Sequence, residues 1–306
     1  MTLADWQWGI GDVVLDATPG STEPYRLLTF EGLERQLRSQ DQDRPLDHGS
    51  VFGTDYMTGR TLTLEIMVVA TAATLQSTLD TLSAEWAPIL NTTPLAMKFP
   101  GVEERFVRGR PRRFSVDPST WGLGYVKAIA EFVAPTPYIF GTQRTGGTTP
   151  MDQTIGGLTF TADTYPSHPG AGGLTFTADD YGTSGHPGLG GLTFTTAVGT
   201  GSLLLTNDGG YAAPWEIILS GPLTGPAIQH AGTGQRIALS GNLAVNESLL
   251  LKSEDHTVTM GGANRYSLLS EAEWFDLAPG DNTIRLTSDT AGELGTISIT
   301  YYDTFI

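Results

Sequence analysis

The chain has 306 residues and a formal net charge of −16, because 33 aspartates and glutamates outnumber 17 lysines and arginines. A chain this acidic repels phosphate backbones, which argues against specific nucleic-acid binding. It contains no cysteine, so disulfides and thiolate metal sites are excluded. No apolar run reaches membrane-spanning length, so we expect no membrane insertion. The length allows two domains with separate cores.

The first 140 residues are predicted to form strands and one helix. Residues 60–68 alternate at period two, with Leu62, Leu64 and Ile66 on one face, which predicts a half-buried strand. Shorter strands are predicted at residues 12–15, 25–30, 95–99, 105–110 and 125–133. Pro135 and Pro137 remove ladder donors after the last of these strands, so a domain boundary is expected just after residue 140.

One segment of this region has a helical period instead. Its apolar residues recur at offsets of four, seven and eleven, which places them on one stripe of an α-helix: Leu75, Leu79, Leu82 and Trp86. Thr71 or Thr74 can cap the start of this helix, and Pro88 is expected to end it.

Residues 141–200 contain a threefold repeat. The sequence Gly-Gly-Leu-Thr-Phe-Thr begins at Gly156, Gly172 and Gly190, with glycine- and proline-containing spacers between the copies. Each copy is a minimal strand that buries too little to be stable alone. Two interpretations stay open: an extended linker produced by tandem duplication, or an exposed arm that contacts a partner.

The last hundred residues read as short alternating strands joined by strong turn signals. A turn at residues 207–210 leads into a segment at 213–221, and a Gly-Gly turn at 261–264 follows a strand at 257–259. Residues 273–282 and a final strand at 296–302 complete this skeleton.

This skeleton resembles the C-terminal β-sandwich of siphophage distal tail proteins. The N-terminal part is similar to the ring domain of the same family, at residues 44–49, 59–64 and 132–138. Together with the repeats, which the resemblance does not cover, we predict a mainly β chain of three parts. These are an N-terminal β-sandwich or ring domain with one α-helix (1–140), a glycine-rich repeat insertion (141–200) and a C-terminal antiparallel β-sandwich like galectins or carbohydrate-binding modules (201–306).

The resemblance also implies a structural role in the virion. Members of this family would form a homohexameric ring at the tail tip, connecting the tail tube to the adsorption device and leaving a channel for DNA. The implied partners are further copies of the chain, the tail tube protein, the tape-measure protein and the tail-tip hub or tail-associated lysin. Assembly would take place in the host cytoplasm.

A cluster of basic residues is the candidate contact surface. Five of the 17 basic residues fall within nine positions: Arg105, Arg108, Arg110, Arg112 and Arg113. Because arginine pairs well with carboxylates, one interpretation is a surface that docks on an acidic surface of the next subunit or of a tail partner. The other interpretation is that these arginines lie on an ordinary strand edge exposed to solvent.

A carbohydrate-binding module and a glycosidase-type enzyme are the alternatives to a structural role. In a carbohydrate-binding module, Trp215 and Trp274 could stack on a host-surface glycan, although Trp274 has apolar neighbours typical of a core or an interface. A glycosidase-type enzyme would need two convergent carboxylates, and the sequence indicates no such pair. The histidines lack metal-ligand spacing, and no nucleophile elbow or phosphate loop is present. We therefore predict no catalytic, cofactor-binding or metal-binding residue.

Overall fold

The structure is a computed structural model that describes residues 2–44, 48–150, 201–290 and 293–306, with side chains at 147–150 excepted. The predicted mainly β fold is confirmed. The glycine-rich repeats and part of the motif at residues 44–49 lie outside the described residues, so their predictions stay untested.

The N-terminal strands close on themselves. In the large sheet their order is β11-β8-β3-β2-β1-β9-β10, and β10 pairs again with β11. The predicted N-terminal sandwich is therefore a closed arrangement of seven strands. The bounds are β1 (Gln7–Ile10), β2 (Val13–Asp16), β3 (Tyr25–Glu31), β4 (Leu37–Arg38), β5 (Gln42–Asp43), β6 (Ser50–Val51), β7 (Tyr56–Met57), β8 (Arg60–Val69), β9 (Thr93–Lys98), β10 (Arg105–Asp117) and β11 (Tyr125–Ala134).

The predicted period-two strand is β8, which pairs with β3 on one side and β11 on the other. Its alternate residues Leu62, Leu64 and Ile66 are at most 1% exposed, as the alternation predicted. Together with Trp8 and Phe132 they lie in the first hydrophobic core. A central strand buried on one face in this way fixes the register of its neighbours.

The predicted helix is α1 (Leu75–Glu85), whose stripe of leucines is buried in the same core. Thr74 occupies the N-cap position, but its side chain makes no capping hydrogen bond, because its hydroxyl lies 2.8 Å from that of Thr71. The helix ends before Pro88, as expected, and a 3₁₀ turn follows later at Pro118–Leu123.

One strand joins the two halves of the molecule. After β11 ends at Ala134, β12 (Ile139–Pro150) pairs with β10 at Phe140 and with β24 (Thr296–Phe305) along its length. It runs without interruption through residue 140, where the sequence suggested a boundary. The two hydrophobic cores nevertheless lie within residues 8–134 and 203–301. The three-part division itself stays a prediction.

The C-terminal strands form two sheets over one core. One is the segment β12-β24-β14-β19-β20-β21 of the large sheet, and the other has the order β13-β23-β16-β17-β22. Ile217 and Leu219 of the first and Ile284 and Leu286 of the second are buried in the same cluster. The remaining bounds are β13 (Ser202–Asn207), β14 (Trp215–Ser220), β15 (Leu223–Thr224), β16 (Ala227–His230), β17 (Arg236–Leu239), β18 (Asn242–Leu243), β19 (Ser248–Lys252), β20 (Thr257–Met260), β21 (Ala263–Asn264), β22 (Leu269–Ala272) and β23 (Gly280–Thr287), with a 3₁₀ turn at Tyr266–Leu268.

Candidate functional site at the junction of the two cores

The predicted arginine cluster lies on β10, whose residues alternate between two faces. Val107, Gly109 and Pro111 are buried, whereas Arg108 and Arg110 are partly exposed on the other face. A strand sends successive side chains to opposite sides of its sheet. Arg105 therefore projects from the opposite face of β10 to Arg108 and Arg110.

Arg108 connects the two halves of the molecule. Its guanidinium lies over two aromatic rings, 4.7 Å from the centroid of Phe140 and 4.8 Å from that of Tyr302. Its Nη1 atom is 3.5 Å from a carboxylate oxygen of Glu254, in the turn between β19 and β20. An arginine on the first core is thus held by rings and a carboxylate next to the second.

An aromatic cluster underlies this arginine. The rings of Phe106 and Phe140 stack with centroids 5.4 Å apart, and Tyr302 packs edge-on to Phe106 at 5.1 Å. Tyr138 lies 5.6 Å from Tyr211, and burial raises the pKa of Tyr138. Contacts of this kind add to the energy of area burial, so the cluster stabilises the junction.

A second ionic group lies beside Arg105 at the same junction. Arg105 lies 3.5 Å from the centroid of the Phe305 ring, and burial lowers the pKa of Arg105. Arg144 donates from Nε to Asp303 at 2.7 Å and also pairs with Asp208. The hydrogen bond to Asp303 is the main cause of a raised pKa of Arg144. Asp303 is buried and also accepts from the backbone N–H of Asp208 at 2.9 Å.

The Asn-Asp-Gly turn predicted from the sequence connects β13 to neighbouring segments of the second core through hydrogen bonds. Asn207 donates from Nδ2 to the carbonyls of Tyr211 and Leu277, at 2.8 and 3.0 Å, and accepts from the N–H of Gly209 at 2.9 Å. A Cβ atom at Gly209 would lie 2.1 Å from the carbonyl oxygen of Thr304, so only glycine fits there. The turn thereby ties the end of β13 to β24.

The two tryptophans considered for sugar stacking are packed against the second core. Trp215 is 2% exposed and donates from Nε1 to the carbonyl of Phe275 at 2.8 Å, so its ring is not presented at the surface. Trp274 is partly buried, lies 6.0 Å from Trp215 and stacks on His256 at 4.9 Å. The interpretation of Trp215 as a sugar contact is corrected accordingly: it is a core residue.

The remaining arginines of the cluster take no part in the aromatic and ionic contacts described above. Arg113 pairs with Glu131 at 3.3 Å. Arg110 and Arg112 border a concave surface of about 290 Å³, and within the described part of the chain neither forms an ion pair. The same surface is lined by Thr92, Val133 and Pro135. The structure thus divides the five arginines among separate environments.

The junction has clefts on its surface. A cleft of about 290 Å³ is lined by residues of both halves, among them Arg108, Glu254 and Lys252. Lys252 is paired with Glu216 at 2.6 Å, so opposite charges compensate each other there. Over the described ranges, no three histidine, aspartate or glutamate side chains are grouped closely enough to hold a metal ion. Nor does any helix in those ranges have the length and apolarity to span a bilayer.

Sequence reasoning singled out Arg105 and Arg108 but missed other residues that build this junction. Arg144 and Asp303 were not singled out, because their contact joins residues 159 positions apart. Alternation along the last strand was an available signal: Tyr301 is 3% exposed and donates to the carbonyl of Thr206, whereas Tyr302 lies on the opposite face. A tyrosine on the outer face of a strand indicates a contact beyond the sheet's own core.

Comparison with known proteins finds a family match in the C-terminal part. Residues 208–305 match the family of siphovirus-type tail components, C-terminal domain. This segment is similar to the members of that family. The match begins at Asp208, inside the Asn-Asp-Gly turn, and includes Trp215 and the final strand. It confirms the resemblance to distal tail proteins predicted from the sequence. No curated protein matches the chain.

Solved structures share the fold over nearly the whole chain. The Dit protein of phage SPP1, described as a paradigm of the hub adsorption apparatus in phages infecting Gram-positive bacteria, superposes with a TM-score of 0.57. The match covers 92% of this chain and 94% of that one at 13% identity. Chains of the phage P2 baseplate in its activated conformation, with calcium and with strontium, give TM-scores of 0.52 and 0.51. Each is 12% identical and covers 96% of this chain and 97% of its own. At these identities the likeness establishes the fold.

Proposed function

We propose that the chain is a structural protein of a siphovirus tail tip, a distal tail protein of the baseplate hub. The observation that carries the proposal is the match of residues 208–305 to the tail-component family. The likeness of the whole fold to a phage hub protein and to baseplate chains supports it. The protein acts in the virion, after assembly in the host cytoplasm.

In this role the chain works by geometry. The N-terminal closed sheet forms a homohexameric ring that continues the tail tube and leaves a channel for DNA. The C-terminal domain projects from the ring toward the adsorption device. The partners are the tail tube protein, the tape-measure protein and the tail-tip hub or tail-associated lysin. With 33 acidic residues in the chain, acidic side chains lining the channel would repel DNA and keep it from adhering during ejection.

The site at the junction supports a structural role over a catalytic one. Its charged groups are engaged with each other or with aromatic rings: Arg108 with Glu254, and Arg144 with Asp303. A general acid or base needs a reacting atom within reach, and side chains paired in this way serve to hold the two halves in place. We therefore propose no enzymatic activity and no cofactor.

Electron microscopy of the purified full-length chain, with its mass measured in solution, tests the proposal. We expect rings with a central channel and a mass six times the 32.6 kDa of one chain. A monomer would contradict ring formation by this protein. It would favour the carbohydrate-binding alternative, and binding of the chain to a glycan array would then be the next measurement.

A further inference from the structure

An exposed arm extends from the first core between β3 and β8. We define the arm as residues 34–44 and 48–58, which contain the strand pairs β4–β7 and β5–β6. Every described residue from 34 to 44 and from 48 to 56 is exposed. This stretch therefore contributes nothing to either hydrophobic core.

The arm is held by contacts across its own two strands. Gly53 donates to the carboxylate of Asp41 at 3.0 Å, and the Arg38 guanidinium lies 5.7 Å from the Tyr56 ring centroid. Each strand pair has only two residue pairs in register. An isolated two-stranded ladder is marginally stable in water, so an arm of this form gains stability when another surface covers it.

The arm exposes apolar and acidic side chains together. Phe52 is 87% exposed, Leu37 62% and Val51 56%. Charged side chains of both signs are exposed on the same arm: Asp43 and Asp55, and also Arg35, Arg38 and Arg44. Large apolar side chains grouped on one exposed element mark an interaction site, and the charges beside them help to select its partner.

A surface of complementary character lies elsewhere on the chain. We call it the ledge and define it as the concave surface bordered by Arg110 and Arg112, together with the preceding loop at Ile89 and Leu90. Leu90 is 88% exposed and Ile89 39%. Thr92, two residues farther on, lines the same concave surface as the two arginines. In the described part of the chain these arginines have no ion pair, which leaves their guanidinium groups available for carboxylates.

We propose that the arm of one copy docks on the ledge of the next copy. Arg110 and Arg112 would receive Asp43 and Asp55 of the neighbour, and Ile89 and Leu90 would cover Phe52. The inference rests on the proposed ring and deepens it by naming the contact between subunits. Arm and ledge are different surfaces of one chain, so their pairing is head-to-tail, the kind of contact that generates rings.

Two observations select a second copy as the occupant of the ledge. The chain has a net charge of −16, so every copy presents many carboxylates to a basic surface. The arm also combines those carboxylates with exposed apolar side chains, which matches the mixed character of the ledge. Arginine and large apolar residues are the types that dominate binding energy at protein interfaces.

Cysteine cross-linking provides a direct test, because the chain has no cysteine of its own. The full-length double variant Phe52→Cys/Leu90→Cys is treated with a short bis-maleimide reagent and run on a denaturing gel. We expect a ladder of covalent oligomers above the dimer, since each copy would be linked to two neighbours. The single variants, each with one cysteine, cannot extend beyond dimers. Rings by electron microscopy combined with monomers on the gel would overturn the proposal.

Charge reversal provides an independent measurement. Arg110→Glu/Arg112→Glu should weaken association about a hundredfold, as seen by mass in solution. Adding Asp43→Arg/Asp55→Arg to the same chain should restore the ring. Arg285→Glu, at an exposed position on β23, is the matched control and should leave the ring intact. If wild type forms rings and the reversed variant forms them equally well, the arm contact is wrong and the proposed function stands. If the wild-type protein forms no ring, the result contradicts both the proposed function and the arm contact that rests on it.

Discussion

Arg60 is the residue that fixes the entrance to the arm. It is 2% exposed and donates from Nε to the carbonyl of Pro137 at 2.7 Å and from Nη1 to the carbonyl of Leu33. Burial lowers the pKa of Arg60. At the preceding residue, Gly59, a Cβ atom would lie 2.4 Å from the carbonyl of Ala134, so the Gly-Arg motif found in the sequence serves this close approach. The base of the arm and the segment leading into β12 are thus attached to one side chain.

Replacing Arg60 tests this attachment. Arg60→Met keeps an apolar stem but leaves two carbonyls without their donor, so we expect the free energy of unfolding to fall by about 1–3 kcal/mol. Limited proteolysis should also cut residues 135–138 faster. Arg26→Met, which removes a hydrogen bond to Glu23 at the surface, is the control and should cost less than about 0.5 kcal/mol. Equal stability and equal proteolysis of the two variants would refute the attachment.

Glu293 gives the protein a predicted acid sensitivity. It accepts hydrogen bonds from Ser288 Oγ at 2.6 Å and from the N–H of Thr224 at 2.7 Å. Partial burial raises the pKa of Glu293, but these hydrogen bonds lower it more, so the folded-state pKa lies below its ordinary value. A depressed pKa contributes stability above the unfolded value of about 4.3, and that stability is lost as the pH falls through the folded value.

Thermal unfolding of Glu293→Gln checks the sign of this effect. The difference in Tm between wild type and variant should be largest near neutral pH and should shrink as the pH is lowered below about 4. The exposed Glu31→Gln serves as a control, with a small difference from wild type throughout. A Glu293→Gln difference that stayed constant with pH would contradict the assigned ionic role.

Among the elements, β8 lies in the middle of the first core. It has ladders on both sides, and Leu64 is fully buried at its middle. We expect Leu64→Ala to lower the free energy of unfolding by about 2–5 kcal/mol, because a cavity remains in a core closed on all sides. Chemical denaturation measures the change, with Thr63→Ala on the outer face of the same strand as control.

In a phage that depends on this protein, a disrupted β8 should yield tailless or tipless particles, and normal tails would contradict the proposed function.

The elements with strong local patterns were predictable from sequence, and those stabilised by distant partners were not. The alternation of β8 and the leucine stripe of α1 each specify a buried face within one segment. By contrast, β12 contains glycines and threonines with little apolar alternation, and it is a strand because it pairs with β24 far along the chain. The polar strands β5 and β6 of the arm were missed for the same reason, since propensity is weak where packing does not enforce it.

At the scale of the whole molecule, Arg108 is predicted to contribute more to the junction than its carboxylate partner. Glu254→Ala removes an ion pair that is partly exposed, so we expect a loss below about 1 kcal/mol. Arg108→Ala also removes the contacts over Phe140 and Tyr302, so we expect roughly 1–2 kcal/mol. Small-angle scattering should show a wider range of arrangements of the two cores in the arginine variant. Equal losses in both variants would assign the effect to the ion pair alone.

The candidate site was only partly predictable because sequence proximity does not determine side-chain direction. The five arginines suggested one surface, yet alternation along β10 and a register shift between Pro111 and Phe114 separate them. Trp215 was considered as a sugar contact because exposed tryptophans of β-sandwiches can stack on sugar rings, and only the two-sheet packing shows that Trp215 is on the inner face. Conversely, the Asn-Asp-Gly turn was predictable from the sequence. The hydrogen bonds from Asn207 to the carbonyls of Tyr211 and Leu277 explain why the turn forms there.

The direct passage from β11 to β12 has a mechanical consequence. Only residues 135–138 separate the two strands, Arg60 holds Pro137, and β12 then enters the ladder with β24. This short connection leaves the C-terminal domain little freedom to rotate relative to the N-terminal closed sheet. If the proposed function holds, a torque applied to the C-terminal domain during attachment would therefore be transmitted to the N-terminal closed sheet.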